Sequence, residues 1–211
     1  TSYVEHARRY VDMATARLGL DSSSRVVEIA SNDGYLLQWF VAKGIPVLGI
    51  EPAANIAVLA EAKGIPSRVE FFEAAVGRQV REDVGPADLM IANNVLAHVH
   101  ELHDFVGGFR QLLAPQGRVT FEFPHLLRLM EQVEFDTIYH EHYSYFSFVA
   151  VERVFGAHGF ELFDVEELAT HGGSLRIFAR HKEAPGKRSG PLTARVADLL
   201  ARERAAGVET L

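Results

Sequence analysis

The 211 residues are 48% hydrophobic and 23% charged, enough apolar material to bury the core of one domain with a short appendage. The formal net charge of −7, with no basic run before the Lys187–Arg188 pair, excludes a surface that gathers polyanions; a small-molecule partner is expected, with no nucleic acid and no membrane. The lack of cysteine excludes disulfides and thiolate metal sites and fits a cytoplasmic protein. The amino terminus, TSYVEHARRY, has no apolar signal core and no initiating methionine, so the chain reads as a piece of a longer one.

Val4, Ala7, Val11, Ala14 and Leu18 fall at helical spacing before Gly19 and predict a leading helix. RVVEIA (25–30) reads as a buried strand, and Leu36, Leu37, Phe40 and Val41 mark a helix that stops at Gly44. Residues 46–51 form the next strand. The pentapeptide AKGIP occurs at 42–46 and again at 62–66, each time where a helix ends on glycine and a strand begins. Two copies are too few for a solenoid, so the repeat predicts successive βα units of one parallel sheet. ADLMIAN (87–93) is a strand, 104–113 a helix ending in the turn Pro115-Gln116-Gly117, and RVTFEF (118–123) another strand. Residues 149–158 read as a helix and 160–168 and 174–180 as two strands, with Gly172 and Gly173 at the bend between them. Residues 183–190, rich in charge, Pro and Gly, are a linker, and the last twenty residues a helix leading elsewhere.

Two adjacent strands closing an alternating series predict an antiparallel last strand, as in class I methyltransferases and unlike dinucleotide-binding Rossmann domains. The fold class is therefore α/β: a Rossmann-like, mostly parallel seven-stranded sheet with helices on both faces. Residues 1–182 form the domain, and 183–211 a linker and the start of a truncated C-terminal domain.

The ligand of such a sheet lies over the carboxyl ends of its strands, so the first strand should carry the signature. It runs VVEIASNDGYLL from Val26 to Leu37. Ala30 and Asn32 stand where a dinucleotide fingerprint has glycines, which leaves that reading poorly supported. Glu28 would repel a pyrophosphate but suits a cation such as the amino end of S-adenosylmethionine, and an acid inside an apolar strand is costly unless paired. Glu51, at the end of LGIEP, lies about the distance downstream at which an acid takes ribose hydroxyls, roughly 20 residues; a charge favoured by the helix dipole is the alternative. The cofactor set is Glu28, Ala30, Ser31, Asn32, Asp33, Gly34, Tyr35, Glu51, Pro52 and Asn93. Gly34 is expected to let the backbone approach the ligand.

The run FDTIYHEHYSYFS (135–147) crowds two histidines, a glutamate and three tyrosines between apolar residues. A histidine titrates near neutral pH and a tyrosine hydroxyl can donate to an oxyanion, so the run can make and hold a carbanion equivalent. An ordinary amphipathic segment is the bland alternative. His140 and His142 are too few for a metal site and the HExxH spacing is absent, so no metal is expected.

The strings EIASNDGYLL (28–37), GIEPAANIA (49–57), ANNVLAHVHELHDF (92–105), FEFPHL (121–126), FDTIYHEHYSYFS (135–147) and THGGSLR (170–176) resemble the sugar C-methyltransferases of antibiotic biosynthesis. Those enzymes methylate C3 of a thymidine-diphosphate 4-keto-deoxysugar with S-adenosylmethionine, leaving S-adenosylhomocysteine; a methyltransferase of the same fold with a non-sugar acceptor, or a module that binds the donor without activity, is the alternative. The resemblance implies that Tyr139, Glu141 and His142 lie at the active site with His142 as base, and that Asn94 and His98 line the sugar pocket. It also implies flanking zinc-binding and carboxyl-terminal domains, here missing. On that basis His142 takes the C3 proton, Tyr139 with His98 stabilises the enolate oxygen and Glu141 orients the histidine or holds its charge. His100, His103, His125, His158, His171 and His181 are left as structural or surface residues.

Overall fold

In the computed structural model, residues 2–183 and 191–210 are described. Helix α1 (Tyr3–Leu18) is capped by the Ser2 hydroxyl, which accepts from the Glu5 amide at 3.3 Å, and ends on Gly19 at φ 64°. Strand β1 (Val26–Ile29) leads through a loop to α2 (Leu37–Val41), then β2 (Val47–Ile50), α3 (Ala54–Glu61) and the two-residue β3 (Ser67–Arg68). The two AKGIP copies adopt one conformation, with Gly44 at φ 72° and Gly64 at φ 79°, a left-handed turn that favours glycine. Next come α4 (Ala74–Val84), β4 (Ala87–Asn93), α5 (Leu102–Leu112), β5 (Leu113–Pro124), α6 (Leu126–Gln132), α7 (Phe148–Ala157), β6 (Phe160–Leu168), β7 (Ser174–His181) and α8 (Ala194–Ala205).

The strands form one sheet in the order β3-β2-β1-β4-β5-β7-β6. β1 pairs in parallel with β2 and β4, and β4 in parallel with β5, while β7 runs antiparallel to β5 and β6. Strand order reverses between β1 and β4, and their carboxyl ends mark the place for a ligand. Alternation along the strands feeds two cores. Val27, Met90 and Ala92 face α5, α7 and α8, with Phe105, Phe109, Phe121 and Phe155 in edge and tilted contacts. Val26, Leu89 and Ile91 face α1 and α2, against Tyr10 and Phe40. Each fully buried phenylalanine contributes roughly 1.5–3 kcal/mol.

Two elements differ from the sequence reading. The Pro115-Gln116-Gly117 turn lies within β5, which already pairs at Leu113 with Ala87 before its register shifts, so the extra residues are accommodated as an irregularity of the strand. The carboxyl-terminal helix, set apart above with residues 183–211, packs on the same domain. Val196 and Leu199 of α8 join the α5–α7 core, and Arg195 pairs with the buried Asp164. Most of the linker, 184–190, lies outside the described residues. Among the described residues, no helix is long and apolar enough to cross a membrane.

Candidate active site

The loop after β1 is built by two acids. Glu51, buried at the end of β2, accepts the Asn32 amide at 3.0 Å on one carboxylate oxygen and the Ala53 amide at 2.9 Å on the other. These bonds tie the loop to the next βα turn and hold Asn32 at φ 53°, next but one to Ala30 at φ 56°. Glu28 is buried inside β1; burial first, then Glu51 and Asp33, push its carboxyl well above the usual range. Among the described residues, Glu28 Oε2, Ser31 Oγ and Asn93 Oδ1 are buried without a hydrogen-bond partner. Unmet buried acceptors at a strand end suit a ligand carrying a cation and hydroxyls, and the amino group and ribose of S-adenosylmethionine match that demand. A cavity of about 500 Å³ opens beside this loop, lined by Ala30, Ile50, Pro52, Phe71, His98 and Tyr143.

Other loop residues have different duties. Asp33 turns outward to Lys63, whose Nζ donates to its carboxylate and its carbonyl at 2.8 Å. At Gly34 the backbone has φ 75° and a Cβ would stand 2.3 Å from Ile65 Cδ1, so conformation and packing favour glycine there apart from any ligand's approach. Tyr35, Asn93 and Asn94 line a separate small cavity with Tyr3, His6 and Glu122. In its floor, Glu122 accepts from His6 and Arg176 at 2.8 Å, and these partners outweigh burial and hold its carboxyl below the usual range.

The tyrosine–histidine run has no regular structure from Ile138 to Tyr145. It is pinned where the Tyr143 amide donates to the Ala97 carbonyl at 2.8 Å. The His142 Nδ1–H donates to the Thr137 carbonyl at 3.0 Å, and the Tyr139 hydroxyl lies 2.9 Å from Nε2. His98 stands edge-on, 4.8 Å between ring centres, and donates through Nδ1 to the Glu141 carbonyl at 3.0 Å. Burial, then the neighbouring His98, lower the His142 pKa. The structure thus brings Tyr139, His142 and His98 together; of the three, His98 lines the larger cavity, whereas His142 lines a small one with Thr137, Ser144 and Tyr145. The Thr137 carbonyl holds the His142 ring, and the exposed Glu141 carboxylate, 3.9 Å from His140, acts on that ring through its charge, which favours the protonated form. Sequence reasoning missed Thr137 because a backbone carbonyl has no side-chain signature, and missed Glu70 and Phe71 of the cavity wall because β3 is too short to announce itself.

A family model described as a methyltransferase domain matches residues 3–165. C-methyltransferase NovU of Streptomyces niveus is 37% identical over 207 residues, covering 98% of this chain and 48% of NovU; the chain thus spans about half the length of this curated relative. A SAM-dependent methyltransferase from Anabaena variabilis shares the fold with a TM-score of 0.65 at 16% identity, over 85% of this chain and 86% of that one. Magnesium protoporphyrin IX methyltransferase from Synechocystis, with bound SAH, does so with a TM-score of 0.60 at 16% identity, over 84% and 81%. The chain therefore belongs to the methyltransferase domain family.

Proposed function

We propose that the chain is the methyl-transferring domain of a C-methyltransferase that acts on C3, the carbon next to the ketone, of a nucleotide-linked 4-keto-deoxysugar of antibiotic biosynthesis. The observation that carries this reading is the Tyr139–His142 pair at 2.9 Å, with the ring fixed by Thr137 and kept neutral by burial. A hydroxyl has a lone pair even before it loses its proton, whereas a carbon next to a ketone has none to offer a sulfonium until a base removes a proton. A neutral histidine beside a phenol supplies that step. The 37% identity to a C-methyltransferase supports the same reading.

S-adenosylmethionine supplies the electrophilic methyl group. Glu28 and Ser31 would meet its amino acid end and Glu51 its ribose. His142 Nε2 takes the C3 proton, then donates to the Tyr139 oxygen, which frees the phenol proton for the enolate oxygen. His98 borders the same oxygen, while Asn94, expected at the sugar, lines the separate small cavity. Flanking domains of a longer chain would hold the nucleotide diphosphate, and the cytoplasm is the compartment for such a substrate. The test is NMR of the product formed by the full-length protein from a thymidine-diphosphate 4-keto-6-deoxysugar and trideuteromethyl-labelled donor. Label on C3 is expected; label on an oxygen, or none, would refute the reading.

A further inference from the structure

Glu203 of α8 is fully buried, and its carboxylate receives three hydrogen bonds of 2.7 Å. His125 Nε2–H and the Phe148 amide donate to Oε1, and the Val149 amide donates to Oε2. Phe148 and Val149 open α7, where amides have no partner within the helix and the dipole favours a negative charge. Ser147 caps the same end through the Ala150 amide at 3.1 Å. These partners outweigh burial and keep the Glu203 carboxyl below its ordinary range. His125 follows β5 and bridges to Phe146, whose carbonyl accepts the Leu126 amide at 3.0 Å. Val196, Leu199 and Glu203 share one stripe of α8, and a charge on a buried stripe serves something other than packing.

The irregular segment that carries Tyr139 and His142 is thus held at its far end by an acid from a helix about sixty residues downstream in the chain. We propose that Glu203 is a positioning residue that sets the burial and orientation of the Tyr139–His142 pair, an inference that rests for its meaning on the function proposed above. It touches no reacting atom. It fixes the start of α7, and with the Tyr143–Ala97 bond it leaves the intervening residues one path.

The test follows the His142 ring by NMR in histidine-labelled protein, together with hydrogen exchange at the Phe148 and Val149 amides. In the parent, His142 titrates below about 6.5. In Glu203→Ala it should move up toward that value, with both amides exchanging at least about 10-fold faster. Glu203→Gln, which keeps one acceptor oxygen, should restore part of both. Leu199→Ala removes packing from the same helix and should leave the His142 titration unmoved. An unchanged titration in Glu203→Ala, or an equal shift in Leu199→Ala, overturns the proposal. If Glu203→Ala does not fold, the comparison of Glu203→Gln with Leu199→Ala decides it. These readouts need no acceptor, so a failure to methylate a sugar would leave them intact.

Discussion

The Tyr139 hydroxyl lies 2.9 Å from Nε2 of His142 while Nδ1 of the same ring donates to the Thr137 carbonyl. The two contacts fix one tautomer, with the lone pair on the nitrogen that faces the phenol. Burial and His98 lower the pKa of this ring, so it is neutral at neutral pH. The kcat/KM of methyl transfer should therefore be flat near pH 7–8 and fall on acidification, with an inflection below about 6.5. A pH–rate profile checks this; an inflection above 6.5 would mean that another group is the base.

Glu51 serves the loop through two amides and remains able to accept from a ligand. Glu51→Ala should weaken S-adenosylhomocysteine binding by about 1.5–3 kcal/mol, the range for a charge-assisted bond. Titration calorimetry on the two proteins measures it. Equal affinities would remove Glu51 from the donor site.

Glu28 costs the fold stability when it ionises. Its folded pKa is raised, so above about 4.5 the folded state holds a proton that the unfolded state has released, and stability falls as pH rises toward the folded value. Glu28→Gln cannot ionise and should gain about 1–3 kcal/mol over the parent at pH 8, with a smaller gain near pH 4.5, while binding S-adenosylhomocysteine less tightly. Urea unfolding at the two pH values gives the difference. A loss of stability at pH 8 would show that the carboxylate has a partner.

Burial also lowers the pKa values of His142, His158 and His181. For a histidine depressed on folding, the unfolded chain binds more protons, so stability is complete above the unfolded value of about 6.5 and declines as pH drops through and below it. The domain should therefore unfold more readily at pH 5.5 than at pH 7.5, before carboxylates titrate. His158→Gln, which relieves the contact with His103, should reduce that slope.

Much of the fold was legible because the repeated AKGIP announces its own geometry, with glycine at positive φ in both copies. The antiparallel β7 followed from two strands too close together for a crossover helix. The irregularity in β5 was not legible, since Pro115-Gln116-Gly117 reads as a turn whether or not pairing resumes before it. Glu28, Glu51, Tyr139 and His142 stood out as chemistry in apolar surroundings. Glu203 did not, because charge spacing on an amphipathic helix looks like a solvated face until the partner strand is known. The division of Ala30 and Pro52 from Tyr35, Asn93 and Asn94 between two cavities depends on which way each side chain leaves its loop, and sequence period carries no such information there.

The central claim is that proton removal by His142 precedes methyl transfer to carbon. It is tested most directly by exchange of the C3 proton of the 4-keto sugar with deuterated water, followed by NMR in full-length protein with S-adenosylhomocysteine bound. The parent should exchange the proton, Tyr139→Phe should slow exchange by about 100-fold to 1,000-fold, and His142→Asn should abolish it while binding S-adenosylhomocysteine as tightly as the parent. Exchange at the parental rate in His142→Asn would contradict the account and move the base elsewhere, with His98 the next group in line.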